Sequence, residues 1–149
     1  ILLLFAFFPP LFFLLAGCTN DEGPMDNSEV ILYVDSNGDG DFTSIQEAIT
    51  ASSNNGIINV SSGIYIEHIV INKSVKLIGE SMKDTIINGV NQGDVISVTE
   101  NGSVQITGFT IKNSRENRRF PFNAGIKINS KGNMITKNII MNNSNGIVS

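Results

Sequence analysis

The chain has no tryptophan, one histidine and one cysteine. A single cysteine excludes an internal disulfide and a cysteine-based zinc site. Charge is sparse, at 16% of residues. No basic residue occurs between Thr19 and Glu47, where eight acidic residues fall. From Ala48 onward there are six acidic and ten basic residues, so the two halves carry −8 and +4 and sum to the net −4. The basic half is modest and interrupted by acids, which leaves no footprint for nucleic acid. The apolar run Ile1–Ala16 is shorter than the ~20 residues of a spanning helix, and Pro9-Pro10 would break one. With 41% apolar residues in 149, the composition is that of one folded domain rather than a disordered chain.

What is present is a repeat. Val75-Lys76-Leu77-Ile78-Gly79 returns as Val104-Gln105-Ile106-Thr107-Gly108 and, more loosely, as Asn133-Met134-Ile135-Thr136-Lys137, 29 residues apart each time. Each copy is followed by two further short apolar runs: Thr85–Asn88 and Val95–Val98, then Phe109–Lys112 and Gly125–Ile128, then Asn138–Met141 and Gly146–Val148. A constant period of this length, made of short strands and Gly/Asn/Ser turns, marks a solenoid. The expected fold is all-β, a right-handed parallel β-helix with three short strands per coil. Ile57–Val60 and two short strands within Ile64–Asn72 supply an earlier coil. Val75, Leu77, Ile86, Val95 and Ile106 are expected to point inward and stack between coils. Asn133, Asn138 and Asn143 recur every five residues, which places them at corners, where asparagine tolerates the left-handed backbone. At such corners asparagine can also stack on asparagine of the next coil.

A solenoid exposes its apolar bore at each end and needs a cap. After the strand Val30–Val34, Thr43-Ser44-Ile45-Gln46 fits a capping box with Thr43 as N-cap and Gln46 at the third helical position. A helix to about Ser52 follows, with Ile45, Ala48 and Ile49 on one face. The turn before it carries Asp35, Asn37, Asp39 and Asp41 at alternate positions, the opening of a calcium loop. Its twelfth position is the neutral Gln46, so a plain Asx-rich turn competes with calcium as the reading. Tyr65 and Glu67 read as a pair supporting a turn, and His68 as a structural or solvent-facing residue.

Residues 1–17 form an apolar leader ending in small residues, the pattern of an export signal. Leu15-Ala16-Gly17-Cys18 resembles the lipobox of bacterial lipoproteins, which implies cleavage before Cys18 and a lipid on its sulfur. Residues 18–29 then make a lipidated tether, and residues 30–149 the β-helix domain, extracytoplasmic and held to a membrane through the anchor. The chain starts without Met and stops within a repeat, so the expectation is a fragment of a longer protein, truncated at its C-terminal side.

Tyr33–Asp35 with Gly40–Ile49, Gly63–Glu67, Lys76–Glu80 and Thr85–Gly89 together resemble the opening of pectin-lyase-like right-handed β-helices, pectin methylesterases among them. Gly125–Ile147 is similar to the repeats of surface β-helix proteins and to a periplasmic accessory protein of nitrous-oxide reductase maturation. The resemblance implies the fold; one fold hosts many activities.

All three arginines, Arg115, Arg118 and Arg119, lie with Phe120 and Phe122 in a segment that interrupts the repeat. Insertions in solenoids often form binding loops. Arginine suits carboxylates and aromatic faces suit sugar rings. These five residues are the candidates for an acidic polysaccharide beside a groove of the helix. The first functional reading is therefore a membrane-anchored domain that binds or displays such a polymer at the cell surface. The second is a polysaccharide lyase or pectinesterase-type enzyme whose catalytic coils lie beyond residue 149. No catalytic set is assignable: Asp84 and Asp94 are the aspartates after Asp41, and both fall at turns rather than as a pair on adjacent strands. A copper-accessory role ranks third, since one His, four scattered Met and Cys18 make a poor copper site.

Overall fold

A computed structural model describes residues 30–99, 103–115 and 123–149. After β1 (Ile31–Val34) and α1 (Ile45–Ala51), the regular elements of the described chain are all strands, joined by turns and wound so that each coil passes three sheets in turn. Sheet A holds β1, β2 (Gly56–Val60), β5 (Val75–Gly79), β8 (Gln105–Thr107) and β11 (Met134–Thr136). Sheet B holds β3 (Gly63–Tyr65), β6 (Thr85–Asn88), β9 (Thr110–Lys112) and β12 (Ile139–Met141). Sheet C holds β4 (Ile69–Ile71), β7 (Ile96–Val98), β10 (Ala124–Ile128) and β13 (Asn145–Val148). Every pairing between these strands is parallel. This is the expected parallel β-helix.

The register converts the repeat into rows. Ile58 pairs with Leu77, Leu77 with Ile106 and Ile106 with Ile135, one coil apart each time. Ile58, Leu77 and Ile106 are fully buried, and Ile135 packs against the same core. A buried aliphatic side chain of this kind contributes about 1.5–3 kcal/mol. Val75 and Val95 point inward as expected, but Ile86 does not: Thr85 and Ile87 are the buried positions of β6. Adjacent Ile86 and Ile87 leave the phase of the strand open to a reading by alternation. Burying Thr85 is tolerated because its hydroxyl accepts the Ser81 N–H at 3.2 Å, while Ile87 joins the inward row Tyr65–Ile87–Ile111–Ile140.

The asparagines clasp corners across coils. Asn133 Oδ1 accepts the Val104 N–H at 3.2 Å, Asn138 Oδ1 the Phe109 N–H at 3.0 Å, and Asn143 Oδ1 the Ser114 N–H at 2.8 Å. Asn138 and Asn143 also donate to Ile106 O and Ile111 O. Their partners are backbone groups, not the stacked asparagines expected, because the positions one coil earlier are Val, Phe and Ser. An amide-on-amide contact occurs instead between Asn113 and Asn88, at 2.9 Å. Asn113 and Asn142, one coil apart, both take left-handed φ values of 62° and 54°. Gly79 and Gly108 also face each other across coils, and a Cβ on either would run into the other's carbonyl.

α1 plugs the N-terminal end of the bore with Ile45, Ala48 and Ile49, all buried. Its N-cap is Ser44, not Thr43: the Ser44 hydroxyl accepts the Glu47 N–H. The expected Gln46 partner is absent because Glu67 takes the role from another coil. Its carboxylate accepts the N–H groups of Ile45 and Gln46 at 3.0 and 2.9 Å and the Ser44 hydroxyl at 3.0 Å. Gln46 turns instead to β4 and pairs with both the N–H and C=O of Val70. Lys73 donates to Thr50 O and Ser52 O at the other end of α1. An anion at the N-terminus and a cation at the C-terminus both complement the helix dipole.

Tyr65 closes this junction, its hydroxyl donating to Ser61 O at 3.0 Å. Burial, ahead of the neighbouring acids, raises its pKa above the ordinary phenol value. The folded protein thus favours the neutral phenol. That stability is fully present below about pH 10, the unfolded value, and is lost as pH rises through the higher folded pKa. Urea midpoints followed upward from about pH 8 should fall steeply past about pH 10, and Tyr65→Phe should flatten that decline. An identical slope in the variant would remove Tyr65 as its source.

Candidate functional site

The corner between sheets B and C brings His68, Asp94, Arg115 and Lys127 to neighbouring coils. Four coils pass it, at residues 66–68, 89–95, 113–123 and 142–144. In the second pass Val90 has φ 43° and Asn91 φ 60°. Left-handed backbone at a β-branched residue is a genuine outlier, and such strain persists only where surroundings impose it. Here Gly89 N–H donates to Lys112 O and Asn91 N–H to Asn113 O, which holds Val90 between two anchors.

Asp94 organises the corner. Its Oδ1 accepts the Ala124 N–H at 2.7 Å, and its Oδ2 lies 3.7 Å from Lys127 Nζ. One residue earlier, Gly93 O accepts the Arg115 N–H at 2.9 Å. His68 donates its Nδ1–H to Asp94 O at 2.7 Å, since a carbonyl can only accept. From the coil above, Asn145 Nδ2 donates to Asn123 O and the Ser144 N–H to Ser114 Oγ. Both ends of the segment 116–122 are therefore tied to neighbouring coils.

Of the residues singled out by sequence, Arg115 is placed here, with its side chain exposed. Arg118, Arg119, Phe120 and Phe122 lie outside the described residues, as does Cys18. A trough bounded by Tyr33 and Lys137 runs over sheet A, and the B–C corner is the one corner that does not border sheet A. In the turn after β1, Asp35 Oδ1 accepts the Asn37 N–H at 2.7 Å and Asp41 Oδ2 the Tyr33 N–H at 2.9 Å. These carboxylates are engaged with the turn's own backbone. Among the described residues no group of three His, Cys, Asp or Glu side chains converges.

Chemically, the corner presents two cations, Arg115 and Lys127, with one carboxylate already bonded to Ala124 N–H. Glu67, Glu80 and Asp84 are committed elsewhere, to α1, to the Ser62 N–H and to the Ser81 hydroxyl. The set suits holding an anionic group more than attacking an ester. Sequence reasoning missed Asp94 and Lys127 as a site. A signal existed, since Asp94 precedes Ala124 by one coil length, but it concerned a single turn residue rather than a repeated one.

No helix among the described residues is long and apolar enough to cross a membrane. No family model matches the chain. The chain is similar to "Probable pectinesterase/pectinesterase inhibitor 6" of Arabidopsis thaliana, 37% identical over 39% of this chain and 12% of that protein. It is also similar to "Probable pectinesterase/pectinesterase inhibitor 41" of Arabidopsis thaliana, 33% identical over 50% of this chain and 15% of that protein. Among solved structures it resembles a pectin methylesterase from carrot, with TM-score 0.62 and 16% identity over 74% of this chain and 39% of that one. The chain thus spans a small part of the length of the curated relatives it matches.

The role of Asp94 is open to a stability series. Asp94→Asn keeps an acceptor for the Ala124 N–H and drops the charge facing Lys127, whereas Asp94→Ala removes both. The alanine variant should lose about 1–3 kcal/mol in urea unfolding and the asparagine variant less. Equal losses would show that the hydrogen bond is not the main term.

Proposed function

From a chain that is a pectin-lyase-like right-handed parallel β-helix, we propose a carbohydrate role in which the B–C corner holds a carboxylate-bearing polysaccharide. The observation that carries it is the attachment of Arg115 and Lys127 to one turn, Gly93–Asp94, at the point where the arginine-rich segment leaves and rejoins the tube. Arg118 and Arg119 add positive charge within that segment and Phe120 and Phe122 add rings, a composition suited to uronate units. The names of the curated relatives support a pectic polymer.

A pectinesterase-type enzyme is the second reading, favoured by the same names and by the carrot structure's fold. Ester hydrolysis of that kind needs an activated carboxylate with an acid partner. Asp94, bonded to a backbone amide and facing Lys127, is a positioned anion rather than a free nucleophile. Binding is therefore placed ahead of catalysis.

Affinity electrophoresis in gels containing polygalacturonate tests the binding. The protein should be retarded, less so at high salt, which screens exposed charges. Arg115→Ala with Lys127→Ala should weaken retardation by about tenfold. An unretarded wild type would overturn the reading. Methanol released from methyl-esterified pectin would move the assignment to the esterase, and a product absorbing in the near ultraviolet would move it to a lyase.

The extracytoplasmic, lipid-anchored placement rests on Leu15-Ala16-Gly17-Cys18. Two acyl signals suffice for stable attachment. Expressed from its complete gene in a bacterium, the protein should take up labelled palmitate and sediment with membranes. Cys18→Ser should abolish both, and labelling that survives the substitution would exclude the anchor.

A further inference from the structure

Sheet A carries a second feature, on a side of the tube away from the B–C corner. Its outward positions form a row across five strands: Tyr33 pairs with Asn59, Asn59 with Ile78, Ile78 with Thr107 and Thr107 with Thr136. Two depressions follow this row. One, of about 280 Å³, is bounded by Tyr33 and Ser61, and the other, of about 360 Å³, by Met82 and Lys137. Both are lined by Ile78 and Glu80, so they join into one trough along the axis of the tube. At about 4.8 Å between strands, four intervals give a length of about 19 Å.

We infer that this trough binds an uncharged, extended polysaccharide chain lying parallel to the tube axis. Its charges balance: Glu80 and Lys137 line the same depression, while the outward row carries an aromatic ring, an amide, an aliphatic chain and two hydroxyls. The Ser62 N–H, and then its hydroxyl, hold the Glu80 carboxyl below its usual range, so the anion is present at neutral pH to offset the lysine. Tyr33 is 54% exposed, with its ring available to lie against a sugar face. Thr107 and Thr136 offer hydroxyls one coil apart, a spacing close to the length of one pyranose unit in an extended chain, and Asn59 offers an amide two coils before Thr107, beyond Ile78. A folded protein partner fits poorly, because the trough is one residue row wide and a stable interface covers about 800 Å² per partner. A peptide adding as a strand fits poorly too, because it needs a sheet edge and this is a face with its backbone already paired.

The inference does not depend on the corner. Affinity electrophoresis with neutral xylan and with neutral mannan tests it, alongside thermal melts that establish folding. Wild type should be retarded by at least one of the two polymers. Tyr33→Ala and Thr107→Lys, both outward-facing and at different strands, should each weaken that retardation by about tenfold or more while melting like wild type. Arg115→Ala with Lys127→Ala should leave it unchanged. Absence of retardation by both polymers, wild-type binding by either trough variant, or loss of binding in the corner variant would overturn the inference. Failure on polygalacturonate alone would instead remove the corner reading and leave the trough standing.

Discussion

Each coil must pair its backbone with the coil before it, and in parallel register this obliges equivalent residues to stack. The requirement follows from the cost of leaving buried N–H and C=O groups without partners. Once it is met, side chains sort themselves into rows. Ile58, Leu77, Ile106 and Ile135 fill one row of the bore, and Tyr65, Ile87, Ile111 and Ile140 another. Stability in such a structure is a sum of neighbour terms rather than the property of one central core.

Corners obey a different rule. A turning backbone leaves groups that no strand partner reaches, and this protein assigns them to side chains one coil away. Asn133, Asn138 and Asn143 do so for the amides of Val104, Phe109 and Ser114. Asp94 does the same for Ala124, with an ion in place of an amide. The carboxylate brings a cation, Lys127, to the surface beside it. A structural device at three corners thereby becomes, at a fourth place, an electrostatic feature. Where corners tolerate insertions, a charged anchor is a starting point for a binding site.

How legible these features were depended on whether they repeat. The coils from Val75 onward keep a 29-residue interval on sheet A, and their strands and inward rows could be read directly. The step from Gly56 to Val75 is 19 residues, so the earlier coil was found by its apolar runs alone. Ile86 was misphased because two isoleucines stand side by side and only the neighbouring coils decide between them. The helix cap was misread for a related reason: a capping box is a local pattern, while the group that meets the amides of Ile45 and Gln46 is Glu67, twenty-odd residues later. The trough was invisible in the sequence, since Tyr33, Asn59, Ile78, Thr107 and Thr136 share no chemistry and only the register aligns them.

The same geometry bears on what kind of ligand the fold can serve. Rows give linear surfaces whose subsites repeat with the strand spacing, suited to a polymer that has its own regular repeat. Corners give isolated points where one turn can differ from the next without disturbing the stack. A polysaccharide offers both a periodic backbone and discrete charged substituents. In the two proposals the corner would meet such substituents, through Arg115 and Lys127, and the face of sheet A would meet the backbone of a neutral chain, through its aligned polar and aromatic side chains. Because the B–C corner does not border sheet A, one chain cannot occupy both without wrapping the tube. Under the two proposals the surfaces would therefore hold separate strands.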